Sequence, residues 1–289
     1  MRRGLRSSTD QCDPVSPSVS MDTTTPDQYS QARLPQNSHG LEVLQRYMRW
    51  EGGDTVLDVG CGTGEMSQYM SRQPGVTSVV GFDLSTDYIS YASQRNSSDK
   101  VSYHVANVSD PSTFKSDWSG AFSKVVSLEV LHWVQDKPEA LKAMHSCLKP
   151  HGELLIVCHT DTHRYCKTVS DMTLHPRWKA YLKKFDPKLY PWSSNDFCRG
   201  HSQLLTECGF EVLACRQMEH WPQSFESKGQ LRAFLRIFFT QLEHIPQELH
   251  EEFFDSLEKV AVERQFLSFS GDGCPQVDSD KFVVHARKV

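Results

Sequence analysis

The sequence predicts an α/β fold built on a doubly wound, largely parallel sheet, and three observations predict it. Val56-Leu57-Asp58-Val59 reads as a strand that runs into Gly60, Gly62 and Gly64 and then into a helix-spaced set, Met66, Tyr69 and Met70. Val79-Val80-Gly81-Phe82-Asp83 is a second strand, ending in an acid nineteen residues past Gly64. Further on, the strand Lys124–Leu128, the amphipathic helix Asp136–Lys149 and the strand Glu153–Cys158 continue the alternation. The last strand is nearly all apolar, as a strand covered on both faces should be.

The first strand, its glycine turn and the following helix make half of a nucleotide-type binding unit. Glycines suit the turn because a ligand lying on the backbone leaves no room for a Cβ. The spacing is G-x-G-x-G, and Glu65 stands where the dinucleotide pattern G-x-G-x-x-G wants its third glycine. That argues against NAD. Cys61, between two glycines, reads as a small filler rather than a nucleophile. Asp83, at the tip of the second strand, is placed to hold a ribose diol.

This pattern resembles motif I of the class I S-adenosylmethionine (SAM) methyltransferases, which have a seven-stranded, Rossmann-like sheet. The resemblance implies SAM as cofactor. It puts Asp58 near the methionine moiety and Gly60, Cys61, Gly62 and Gly64 along the cofactor. Asp83 would hold the ribose with Leu84 beside it, and Asn107 and Val108 would face the adenine. Asn107 stands where most of these enzymes carry Asp. It keeps an accepting oxygen and loses the charge, so weaker cofactor binding is expected.

Composition bounds the remaining choices. The chain has 289 residues and a formal net charge of −5. Its 38% hydrophobic content suffices for a core, and no apolar run approaches the roughly 20 residues of a spanning helix. Acids and bases are interspersed, and the longest basic cluster is Lys183-Lys184, so no nucleic-acid footprint is present. Nine scattered cysteines without a C-x-x-C pair read as reduced thiols in a cytoplasmic setting. No set of residues has metal-ligand spacing. Residues 1 to about 25, rich in Ser, Thr, Pro and Asp, lack an apolar h-region and read as a disordered tail.

From Tyr29 to Trp50 the spacing predicts one helix, or two broken at Pro35. Ser85 is a plausible N-cap for a helix through Tyr88, Ile89 and Ala92. A third strand is expected from Val101 to Val108. Residues 159–200 leave the strand–helix pattern and are dense in large side chains, including Tyr165, Trp178, Tyr181, Phe185, Tyr190, Trp192 and Phe197. They read as an insertion or lid building an apolar acceptor pocket, or as a satellite core under a long loop. A short helix, Ser202–Cys208, and a strand, Phe210–Cys215, follow. Helices near 226–243 and 247–264 form a second helical lid insertion, at about 216–270, and Lys281–Arg287 is a final strand. Residues 26–289 thus form one domain with two insertions.

Three local matches sharpen the resemblance. Leu131-His132-Trp133-Val134, His175-Pro176-Arg177-Trp178 and Val284-His285-Ala286-Arg287-Lys288 resemble the juvenile hormone acid O-methyltransferases, which are related to trans-aconitate methyltransferase. The family's functional glutamine would fall on Gln36 and its functional tryptophan on Trp133. The resemblance implies methyl transfer to the carboxylate of an apolar, isoprenoid or fatty acid. Such an acid is already ionised at neutral pH, so no general base is required. Gln36 and Trp133 would orient the acceptor, and His132 would be the base if the acceptor were a hydroxyl. A methyltransferase for another small acid such as trans-aconitate, and a protein that binds SAM or an apolar acid without turnover, are the alternatives.

Overall fold

The computed structural model describes residues 25–32, 34–160, 164–187, 189–190, 197–218, 221–278 and 280–289. The expected tail and Trp192 lie outside these. Ten strands and nine helices appear among the described residues. Two helices come first, α1 (Pro26–Ala32) and α2 (Leu34–Tyr47). The repeating units follow: β1 (Asp54–Val59), α3 (Glu65–Ser71), β2 (Val76–Asp83), α4 (Thr86–Arg95), β3 (Val101–Val105), β4 (Phe122–Leu128), α5 (Lys137–Cys147) and β5 (Leu148–His159). Next come α6 (Arg164–Leu174), α7 (Phe197–Glu207), β6 (Phe210–Met218), β7 (Gln223–Ser224), α8 (Lys228–Phe238), α9 (His250–Glu263), β8 (Leu267–Phe269), β9 (Pro275–Val277) and β10 (Lys281–Lys288).

The main sheet has seven strands in the order β3-β2-β1-β4-β5-β10-β6. The first five are parallel, and β10 runs antiparallel to both of its neighbours. The order reverses between β1 and β4, which opens a crevice at the carboxyl ends of the strands, where ligands of such sheets bind. Because β10 is antiparallel, its first residue, Lys281, lies at that same end, opposite His159.

Strand periodicity divides the core into two layers. Leu57, Phe82, Val125, Ile156 and Phe282 face one side, with Leu141 and Met144 of α5 and Leu205 beside α7's end packed on them. Val56, Val79, Val126, Leu155 and Val283 face the other, under Leu44 of α2, Met70 of α3 and Ala92 of α4. A third apolar cluster joins both expected insertions: Met172 and Trp178 pack with Leu231, Phe253, Phe254 and Leu257. Thus α6, α8 and α9 pack together around one apolar cluster, forming a cap. Beneath it lies a small antiparallel sheet, β7-β9-β8, which the sequence did not announce.

Other boundaries also differ from expectation. β3 ends at Val105, so Asn107 and Val108 belong to the loop after it. Pro35 sits in the first turn of α2, where a missing N–H costs nothing. Asp136 is the N-cap of α5 rather than its first residue, and its side chain accepts from the Glu139 N–H at 3.0 Å.

Candidate active site

The cofactor end is built by the turn after β1. Gly60 has φ +71, and a Cβ there would come within 2.3 Å of Val130 Cγ2. Gly64 has φ +90, and a Cβ would meet the Tyr103 hydroxyl at 2.5 Å. Both positions therefore require glycine for conformation and for space. The Tyr103 hydroxyl lies 3.0 Å from the Gly64 carbonyl and the Asn96 amide donates to the Thr63 carbonyl at 2.7 Å, so the turn is held rigidly from β3 and α4.

Asp83 ties the two strand ends together. Its Oδ2 accepts from the Gly62 N–H at 3.0 Å and its Oδ1 from the Ser85 N–H at 2.9 Å. Leu84, beside it, is 47% exposed. Asp58 is buried and accepts from the Ser67 hydroxyl, while Asn37, Met66 and Leu128 join Asp58, Gly60 and Cys61 around one small cleft. Asn107 Oδ1 accepts from the Ser109 N–H at 2.9 Å in a local turn, leaving one lone pair for another donor.

Glu65 has a role that sequence reasoning missed. The Ser30 hydroxyl of α1 donates to one of its oxygens and the Thr63 hydroxyl to the other, at 2.7 Å. Tyr29 of α1 stacks on Tyr88 of α4 with centroids 4.5 Å apart. The residue that breaks the dinucleotide pattern is thus the anchor that holds α1 over the glycine turn. Gln36 lies in the first turn of α2, and its side chain falls outside the described residues. His39, one turn on, is placed by stacking on Trp221 at 4.1 Å and by contacts to the Pro222 carbonyl and the Gln223 amide. Burial first, and Lys281 second, push its pKa down to about 4.

The second cleft lies between the strand ends and the cap. Its wall is mainly apolar and includes Trp133, Tyr165, Phe234, Phe238, Phe266 and Val277. At its base is a polar group: His132, His159, Gln223 and Lys281. Glu129, with φ +64, follows β4 and turns into this base. Its Oε1 is 2.8 Å from Lys281 Nζ, and its Oε2 is 2.8 Å from His159 Nε2. Burial alone would push the Glu129 carboxyl up, but Lys281 and His159 hold it well below the usual range, so it is a carboxylate.

His132 stacks face to face on His159, centroids 4.3 Å apart and planes within 3°. Burial, followed by His159, holds its pKa well below the ordinary value, so the ring is neutral. The Cys158 thiol, pushed up by burial, sits 3.6 Å from His132 Nδ1. Glu129, His132 and His159 offer one ligand atom each within 4.8 Å of one another. The parallel rings do not converge on a metal, because imidazole lone pairs lie in the ring planes, and the Lys281 ammonium already supplies the cation.

The glycine turn, Asp83 at the next strand tip and the small cleft lined by Asp58, Gly60 and Cys61 are a donor and acceptor set that fits SAM. Fold and site together are those of a SAM-dependent methyltransferase. The chain belongs to the methyltransferase-domain family, whose profile matches residues 31–216. It is 24% identical over 246 residues to the juvenile hormone acid O-methyltransferase of Drosophila melanogaster, covering 81% of each chain. It is 29% identical to phosphoethanolamine N-methyltransferase 3 of Arabidopsis thaliana, over 78% of this chain and 40% of that one. Among solved structures, the YcgJ protein of Bacillus subtilis matches with a TM-score of 0.56 at 15% identity, covering 88% of this chain and 98% of that one. A phosphoethanolamine N-methyltransferase 2 of Haemonchus contortus in complex with SAM matches at 0.52 and 17% identity, over 87% of this chain and 52% of that one. These structural likenesses concern the fold. Among the described residues no helix is long and apolar enough to cross a membrane.

Proposed function

We propose that this methyltransferase esterifies the carboxylate of an apolar acid, of the isoprenoid or fatty class. The observation that carries this reading is the cleft of Trp133, Tyr165, Phe234, Phe238 and Phe266, apolar along its walls and polar at its base. A wall of this kind takes a hydrocarbon chain, and the base takes a head group. The Drosophila relative, by its name, acts on such an acid.

Bound SAM supplies an electrophilic methyl group and a good leaving group. The protein's task is then to align the acceptor and exclude water. Trp133, in the turn Leu131–Trp133 after β4, borders the cleft at the sheet's carboxyl end and serves as wall or N–H donor to the acceptor. Gln36 is proposed to orient the acceptor from the first turn of α2. His132 is neutral, its pKa held well below the ordinary value by burial and then by His159, so it is a weak base and serves as a wall of the cleft. An ionised carboxylate needs no base.

Incubating the protein with SAM and a panel of farnesoic, decanoic and trans-aconitic acids and phosphoethanolamine, with methylated products read by mass spectrometry, tests this. Methyl esters of the apolar acids support it, and methylation confined to aconitate or phosphoethanolamine overturns it.

A further inference from the structure

Lys281 opens β10 and is 1% exposed. It is the only lysine or arginine among the described residues lining the acceptor cleft, whose other walls are mostly aromatic or aliphatic. A lysine is seldom placed in such surroundings, because removing an ammonium from water is costly without a partner. Its partner is Glu129, at 2.8 Å. Glu129 in turn holds His159, so the carboxylate is shared between two donors that both border the cleft. An ammonium has three donors, and Glu129 faces it as an ion-pair partner without hydrogen-bond geometry. The indole ring of Trp221 lies 5.8 Å from the same nitrogen on another side. Gln223, also buried, brings an amide to the same base.

We infer that Lys281, held by Glu129, is the head-group receptor of this cleft and selects anionic over neutral acceptors. Glu129 neutralises the lysine enough to keep it buried while leaving ammonium donors for an incoming carboxylate. The apolar walls then decide that the anion carries a hydrocarbon tail. This rests on the proposed reading of the cleft as the acceptor site and adds the residue that sets its head-group specificity.

The test reads binding, without turnover. Decanoate and 1-decanol are titrated into the full-length protein in the presence of S-adenosylhomocysteine, using intrinsic tryptophan fluorescence. Wild type should favour decanoate by at least about tenfold, a difference of about 1.4 kcal/mol. The double variant Lys281→Met with Glu129→Gln removes both charges together, so no buried charge is left alone. It should bind decanoate no better than decanol while its affinity for S-adenosylhomocysteine stays within about twofold of wild type. Should that protein not bind S-adenosylhomocysteine, Lys281→Gln with Glu129→Gln, which keeps a polar pair in place, is used instead. A decanoate preference that survives in the double variant, or none in wild type, overturns the inference. Absence of any methyl ester would sink the proposed activity without touching this result. Esterification with an unchanged preference in the variant would sink this inference alone.

Discussion

His132 and His159 lie parallel, 4.3 Å apart, on the floor of the acceptor cleft, and the Glu129 carboxylate lies 2.8 Å from His159 Nε2. Burial first, and the neighbouring His159 second, hold His132 neutral. The consequence is chemical: the ring is a weak base whose protonation falls below the working range.

The first prediction is therefore a flat pH profile. With an ionised acceptor and a neutral His132, kcat/KM should not vary between about pH 6.5 and 8.5. His132→Asn should keep that flat shape, and Trp133→Ala should lower turnover through lost orientation. A rising limb through neutrality that disappears in His132→Asn would show general-base methylation of a hydroxyl.

Gly60 is predicted to tolerate no side chain. Gly60→Ala meets both a φ of +71 and a contact of 2.3 Å with Val130. The backbone cost alone is on the order of 1–3 kcal/mol. Adding Val130→Ala should relieve the clash and leave the backbone cost, so denaturation should show only partial recovery.

Asp83 holds Gly62 and Ser85 through separate oxygens. Asp83→Ala should weaken SAM binding by roughly 1.5–3 kcal/mol, the range for hydrogen bonds to a charged group. Calorimetry with SAM measures it, and an unchanged affinity would remove Asp83 from the site.

The frame was legible in the sequence because its signals are local. The run Val56–Gly64 specifies strand, turn and helix within a few residues, and strand alternation and a capping Asp136 do the same further on. The acceptor site was less legible. Lys281 reads as an ordinary strand-opening lysine until β10 sets it beside Glu129, a pairing across most of the chain. The sheet β7-β9-β8 has strands of two or three residues, too short to carry a period. Asn107 drew attention as a strand end, but the strand stops at Val105 and the side chain turns back on Ser109. Glu65 was read only as a missing glycine, because its partner Ser30 lies on a helix whose docking no local pattern records.

Stability should fall on acidification through two buried histidines. His39 and His201 each have a folded pKa of about 4, set first by burial and then by Lys281 and Lys137 respectively. Their unfolded value is about 6.5, so the unfolded chain binds more protons below that pH. Their contribution is complete above about pH 6.5 and is lost as pH falls to about 4, by roughly 2 kcal/mol per ring. Thermal melts of wild type and His201→Gln across this range measure it. An equal slope in both proteins would contradict the assignment to His201.

The central claim is that the aromatic cleft presents an apolar acid, already ionised, to the methyl group. Competition in one vessel tests it most directly: farnesoic acid, trans-aconitic acid and phosphoethanolamine at equal concentration with SAM, with each methylated product quantified by mass spectrometry. Methyl farnesoate as the dominant product is the predicted result. Dominant methylation of aconitate or of the phosphoethanolamine nitrogen would contradict the account.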